Sequence, residues 1–160
     1  MNSKTILAGL LFLLLTGCKS KSAFNYSEEM IKKERSLIPH IEVTESKVEK
    51  FAAKEQFDSV SAVAANMENM IQVTIDEIKS TPPPKVNEAD NFKRAMLKYF
   101  EYIKSLYTNY KKWGNAETAE ERDAIVLAIQ KLVRDKEKVI TEMQGAQRKY
   151  ADVNGFKLEK

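Results

Sequence analysis

Reactive and metal-binding side chains are nearly missing from this chain. It holds one cysteine, Cys18, and one histidine, His40, among 160 residues. A lone cysteine excludes a disulfide within the chain and any site built from several cysteines. A lone histidine excludes the paired Glu-x-x-His motifs of di-iron bundles, and no Glu-x-x-His occurs. Glycine and proline are scarce, at 5 and 4, which disfavours a turn-rich sheet and favours helix. There is no Gly-rich phosphate loop, no alternating strand pattern and no repeat of 20–50 residues. Charge of one sign is also missing. Lys+Arg number 26 against 23 Asp+Glu, a net +3, and this near balance argues against a nucleic-acid partner.

What is present begins at the N-terminus. Lys4 precedes an apolar run from Ile6 to Leu15, followed by the small residues Thr16 and Gly17. This is the layout of a secretory signal, and the run is shorter than the ~20 residues a membrane-spanning helix needs. Leu15-Thr16-Gly17-Cys18 resembles the lipobox of bacterial lipoproteins. The resemblance implies cleavage between Gly17 and Cys18. It also implies that the Cys18 thiol carries a diacylglyceryl anchor with acyl chains such as palmitate, so no thiol nucleophile is left. The expected organisation is a signal peptide over 1–17, a lipidated Cys and short polar tether over 18–25, and one four-helix bundle domain over 26–160. Lys19, where many inner-membrane lipoproteins carry Asp, resembles the outer-membrane class. No acid lies in 19–25, which favours a periplasm-facing domain over a cell-surface one.

Four helices follow. Helix A is expected from about Tyr26 to Ala53, with Ser27 as N-cap, and with Pro39 either bending it or breaking it near residue 38. Helix B, about Phe57 to Lys79, carries Val60, Val63, Met67, Met70, Ile71, Ile75 and Ile78 on one face. Ser61, Ala62, Ala64 and Ala65 keep its first part slim. Thr81-Pro82-Pro83-Pro84 stops it in a stiff connector. Helix C, about Glu88 to Lys112, alternates steps of four and three through Phe92, Met96, Tyr99, Ile103, Leu106, Tyr110 and Trp113. Half of the chain's aromatics lie in this stretch, so helix C is expected to be the most buried element. Helix D opens on the capping box Thr118-Ala119-Glu120-Glu121 and runs to about Asp152, with Asn154-Gly155 as its stop. Lys136 falls on its apolar stripe, where a long stem lies on the core and the tip reaches water. Four amphipathic helices with short links predict an all-α, antiparallel, up-down-up-down four-helix bundle.

The search for chemistry returns little. His40 follows Pro39, where a solvent-facing imidazole is the default. Met67, Met70, Met96 and Met143 sit at core spacing. The carboxylate pairs Glu28/Glu29, Asp76/Glu77 and Glu120/Glu121 are adjacent in sequence, so they do not face each other on a helix. No catalytic residue, metal or cofactor is assigned, and an enzyme is not expected. The bundle topology puts Lys19, Lys21, Lys85, Lys157 and Lys160 at the anchored end, where they would meet anionic headgroups. It puts Phe57 and Trp113 at the free tip, as the candidate docking point for an envelope protein partner. The chain is thus expected to be a non-enzymatic, lipid-anchored interaction or structural module of the cell envelope. The alternative is a carrier of an apolar ligand, in a cavity between helix C and the slim part of helix B lined by Tyr99, Ile103 and Tyr107.

The C-terminal stretch Ala146 to Phe156 closes with Ala-Gln, an aromatic residue, Ala, then Asn-Gly-Phe. It is similar to the ending of a family of small uncharacterised helical lipoproteins. That resemblance implies shared architecture and a surface or outer-membrane location, and it carries over no catalytic residue. Phe156 and Leu158, past the glycine stop, are expected to fold back on the end of the bundle.

Overall fold

Each of the four periodic stretches has one apolar face, and the computed structural model packs those faces into a four-helix bundle. It describes residues 6–158, with side chains from Lys19 onward. The helices are α1 (Ile6–Ala52), α2 (Phe57–Ser80), α3 (Ala89–Asn115) and α4 (Ala119–Asn154), with no strand among the described residues. Cross-helix bonds give the directions. Lys104 donates to Gln72 and Thr108 to Glu68, so α2 and α3 run antiparallel. Tyr99 donates to Glu34 and Tyr107 to Glu45, so α1 and α3 run parallel.

The ends of the last three helices follow local chemistry. Glu121 N donates to the Thr118 hydroxyl at 3.1 Å, and the Glu121 carboxylate accepts from Thr118 N at 3.4 Å. The expected capping box is therefore formed. Thr81 turns extended before the prolines, and Lys93 of α3 donates to the carbonyls of Lys79 and Thr81. Those carbonyls would otherwise be unpaired at the end of α2. Gly155 takes the left-handed conformation, φ 70°, that ends α4, and Phe156 N donates back to Ala151 O at 3.2 Å. The Phe156 ring lies 5.8 Å from Phe24 and 5.7 Å from Tyr150, which is the expected fold-back.

Helix α1 differs from expectation at its start. Residues 19–25, expected as a tether outside the bundle, are part of helix α1, and Ser27, expected as its N-cap, is an interior helical residue with no exposure. The stretch contains no proline or glycine to end a helix, and its apolar side chains have partners. Ala23 is fully buried, and Phe24 and Tyr26 pack on the end of α4. Pro39 does not break the helix, which is continuous to Ala52. It sits where α1 faces solvent, so the backbone bond it removes leaves the Arg35 carbonyl to water.

Burial is shared between α2 and α3: α2 carries the more continuous fully buried stripe, while a smaller share of α3 is exposed. Val60, Ala64, Met67, Ile71, Ile75 and Ile78 are each at most 1% exposed. On α3, Phe92, Met96, Phe100 and Tyr107 are buried, but Tyr99, Ile103, Leu106 and Tyr110 are only partly covered. Helix α2 lies between α1 and α3, whereas α3 has one side on the loosely closed side of the bundle.

The base of the bundle, where α1 begins and α4 ends, is an aromatic cluster. Phe92 stacks on Tyr150 at 5.0 Å, and Tyr26 meets both edge-on at 6.2 and 6.3 Å. The hydroxyls of Tyr26, Ser27 and Tyr150 are buried and bond to no described residue. Burial, with the nearby Tyr150, raises the Tyr26 phenol well above its usual range, and burial pushes Tyr150 up to about 12. A buried hydroxyl without a partner destabilises by ~1–3 kcal/mol. Tyr150→Phe and Tyr26→Phe should therefore leave stability unchanged or raise it by about 1 kcal/mol in urea titrations. A loss above ~1 kcal/mol would mean that the hydroxyl is bonded in solution.

Candidate functional site: a tyrosine-lined groove on the side of the bundle

Helices α1 and α4 meet mainly at the base, through Tyr26 with Tyr150 and Phe24 with Phe156. Farther along they diverge, and a groove of about 470 Å3 opens between α1, α3 and α4. Its floor is α3, with Tyr99, Tyr102, Ile103, Leu106, Tyr107 and Tyr110. Ile38, Ile41, Glu42 and Glu45 form the α1 wall, and Val133, Lys136 and Ile140 the α4 wall. Ile38 and Val133 stand on opposite rims at 45% and 56% exposure, so apolar surface that a closed bundle would bury is open here.

The tyrosines are fixed by their hydroxyls. Tyr107 and Tyr110 donate to the two oxygens of Glu45, at 2.7 and 3.4 Å. Tyr99 donates to Glu34 at 2.8 Å, and Tyr102 to the Leu132 carbonyl at 2.8 Å. Burial first, then the neighbouring carboxylates, raises the phenols of Tyr99 and Tyr107 well above their usual range and Tyr110 to about 12. Burial, then Asp135, raises Tyr102 as well. All four therefore stay protonated at neutral pH and remain donors. The groove thus offers apolar wall, aromatic rings and a carboxylate held in place, within the ~300–1,000 Å3 typical of small-ligand sites.

Tyr99, Ile103 and Tyr107 line a cavity as expected, but on the other side of α3. Toward the slim start of α2, no space is left. A Cβ on Gly114 would lie 2.5 Å from Ser61 N and 2.6 Å from Phe57 O. Small residues let the two backbones touch, so they close the α2–α3 interface instead of hollowing it.

The tip residues Phe57 and Trp113 come together edge-on at 5.1 Å, with the Arg122 guanidinium 4.2 Å over the Phe57 ring. Both are half-buried. At the base, Lys19 and Lys85 line a cleft of about 430 Å3 with Asp152 and Asn154, while Lys21 and Lys157 are exposed. Lys160 lies outside the described residues, as does the side chain of Cys18, the expected lipidation position next to the Gly17–Cys18 cleavage point.

The other candidates have plain roles. His40 is exposed. Met67, Met96 and Met143 are buried, and Met70 packs against the core. Of the carboxylate pairs, Glu77 binds Lys33 at 2.7 Å, Asp76 accepts from Gln72, and Glu121 closes its capping box. Among the described residues no group of three or more His, Cys, Asp or Glu is placed to hold a metal ion. Among them, too, no helix is long and apolar enough to cross a membrane. No protein-family model matches the chain, and neither a curated protein nor a solved structure matches it.

Sequence periodicity could not find the groove. The α3 stripe marks which residues face inward, but not that α4 stands off from α1 beside them. The one available signal was Lys136 on the α4 stripe, a charge where a closed bundle wants an apolar residue.

Proposed function

We propose that this chain is a non-enzymatic, lipid-anchored helical-bundle lipoprotein of the bacterial cell envelope, at the outer membrane and facing the periplasm. The lipobox Leu15 to Cys18 supports the anchor. With helix from residue 19 onward, Cys18 would lie about 8 Å along the axis from the buried Ala23, at ~1.5 Å rise per residue. The base of the bundle would then rest at the headgroups, with Lys19, Lys21, Lys85 and Lys157 beside them. Cys18→Ser is expected to abolish acyl labelling and release the protein from membranes. A mutant that still fractionates with the membrane overturns the anchor.

Within that class we infer a binding module, and the groove between α1, α3 and α4 is the observation that carries it. It favours the carriage of an apolar small ligand. Docking of an envelope protein at the tip is the second reading. Its support is the half-buried Phe57–Trp113 pair, whose rings already meet edge-on. Loss of a crosslinked partner on substituting Phe57 and Trp113 would support the tip, and an unchanged partner set would remove it.

A further inference from the structure

We propose that the groove selects an apolar organic cation: a hydrocarbon body bearing an ammonium group, with the charge seated at Glu45. This rests on the reading of the groove as a ligand site. The body would lie along Ile38, Ile103, Val133 and Ile140, all of which line the groove. The charge has a built seat. Glu45 is half-buried on the α1 wall, and its carboxylate is held by the hydroxyls of Tyr107 and Tyr110. Glu42 lies on the same wall. Among the described residues, neither carboxylate has a Lys or Arg nitrogen within 4.0 Å. Tyrosine faces carry the negative end of the ring quadrupole and attract an ammonium group. A phenol that donates to a carboxylate is polarised toward phenolate, which makes its face more negative. The one base lining the groove is Lys136, on the opposite α4 wall and exposed, so its ammonium group can turn to water. A fatty anion would meet Glu45 and Glu42 on one side and only this solvated lysine on the other.

Calorimetric titration of the full chain with dodecyltrimethylammonium, dodecanoate and dodecyl maltoside, each below its micelle concentration, tests this. The cation is expected to bind about tenfold more tightly than the anion. Glu45→Gln, which keeps an acceptor for the tyrosines, should remove that preference, and Lys136→Gln should strengthen cation binding. Val133→Trp, at the exposed rim, should weaken all three by filling the groove. Equal binding of the three probes, insensitive to Glu45→Gln but lost in Val133→Trp, overturns the charge selection and leaves the carrier reading standing. Binding that Val133→Trp does not change, or no binding, overturns both. Preference for the anion overturns the proposal directly.

Discussion

Gly114→Ala is expected to lower the melting temperature by about 10 °C, from overpacking of about 3 kcal/mol at ~2–4 °C per kcal/mol. The added Cβ would meet Ser61 N at 2.5 Å, Phe57 O at 2.6 Å and Ser61 Cα at 2.9 Å. These are backbone atoms of α2, so no side-chain rotation relieves the clash, and the two helices must separate. Separation would also disturb the Phe57–Trp113 contact at the same end. Gly145→Ala is the matched control. It lies within α4, and its Cβ would meet nothing within 4 Å. Helix propensity alone then applies, and that variant should gain about 1 kcal/mol. Thermal melts followed by circular dichroism decide the matter. A Gly114→Ala melt within about 2 °C of the parent would show that the end of α3 moves off α2 freely.

Phe92→Ala should cost about 3–5 kcal/mol, measured as a shift of the urea midpoint at constant slope. Phe92 has no exposed surface, stacks on Tyr150 at 5.0 Å and meets Tyr26 edge-on at 6.2 Å. Removing the ring leaves a cavity and breaks two aromatic contacts, each worth ~0.5–1.5 kcal/mol beyond area. The loss is large against the ~5–15 kcal/mol typical of a whole domain. It would also strike the place where α1 and α4 are joined, since Tyr26 is on α1 and Tyr150 on α4. The groove should therefore loosen with the base. A cost below ~1 kcal/mol would mean that Tyr26 and Tyr150 collapse into the space.

Glu88 shows how local rules and tertiary contacts meet. It precedes α3 in the left-handed region, φ 62°, which disfavours a residue with a side chain by ~1–3 kcal/mol. Its carboxylate binds Lys149 of α4 at 2.8 Å and accepts from Asn91 at 3.0 Å. The connector conformation is thus held by a helix more than sixty residues away. The start of α4 and the Gly155 stop were legible because each depends on residues within a turn of one another. The start of α1 was not, because the partners of residues 23–26 are Phe92, Tyr150 and Phe156.

The candidate site divides in the same way. Its α3 residues were named from periodicity, and Phe57 and Trp113 were placed at one tip from topology, where they do meet. The groove's side, its α1 and α4 walls and the role of Glu45 were invisible. Glu45 reads as one more solvated carboxylate until Tyr107 and Tyr110 are seen to bond it.

The sequence by itself determined an all-α chain of four amphipathic helices, both ends of α4 and the antiparallel order. Those follow from spacings of three and four and from hydrogen bonds closed within a few residues. Only the tertiary structure decided which faces close tightly and which stay open. Gly114 and Ser61 bring α2 and α3 into backbone contact, while α4 rests on α1 at its base and stands away beyond it. Such differences depend on the volumes of side chains far apart in the chain, and no local pattern records them.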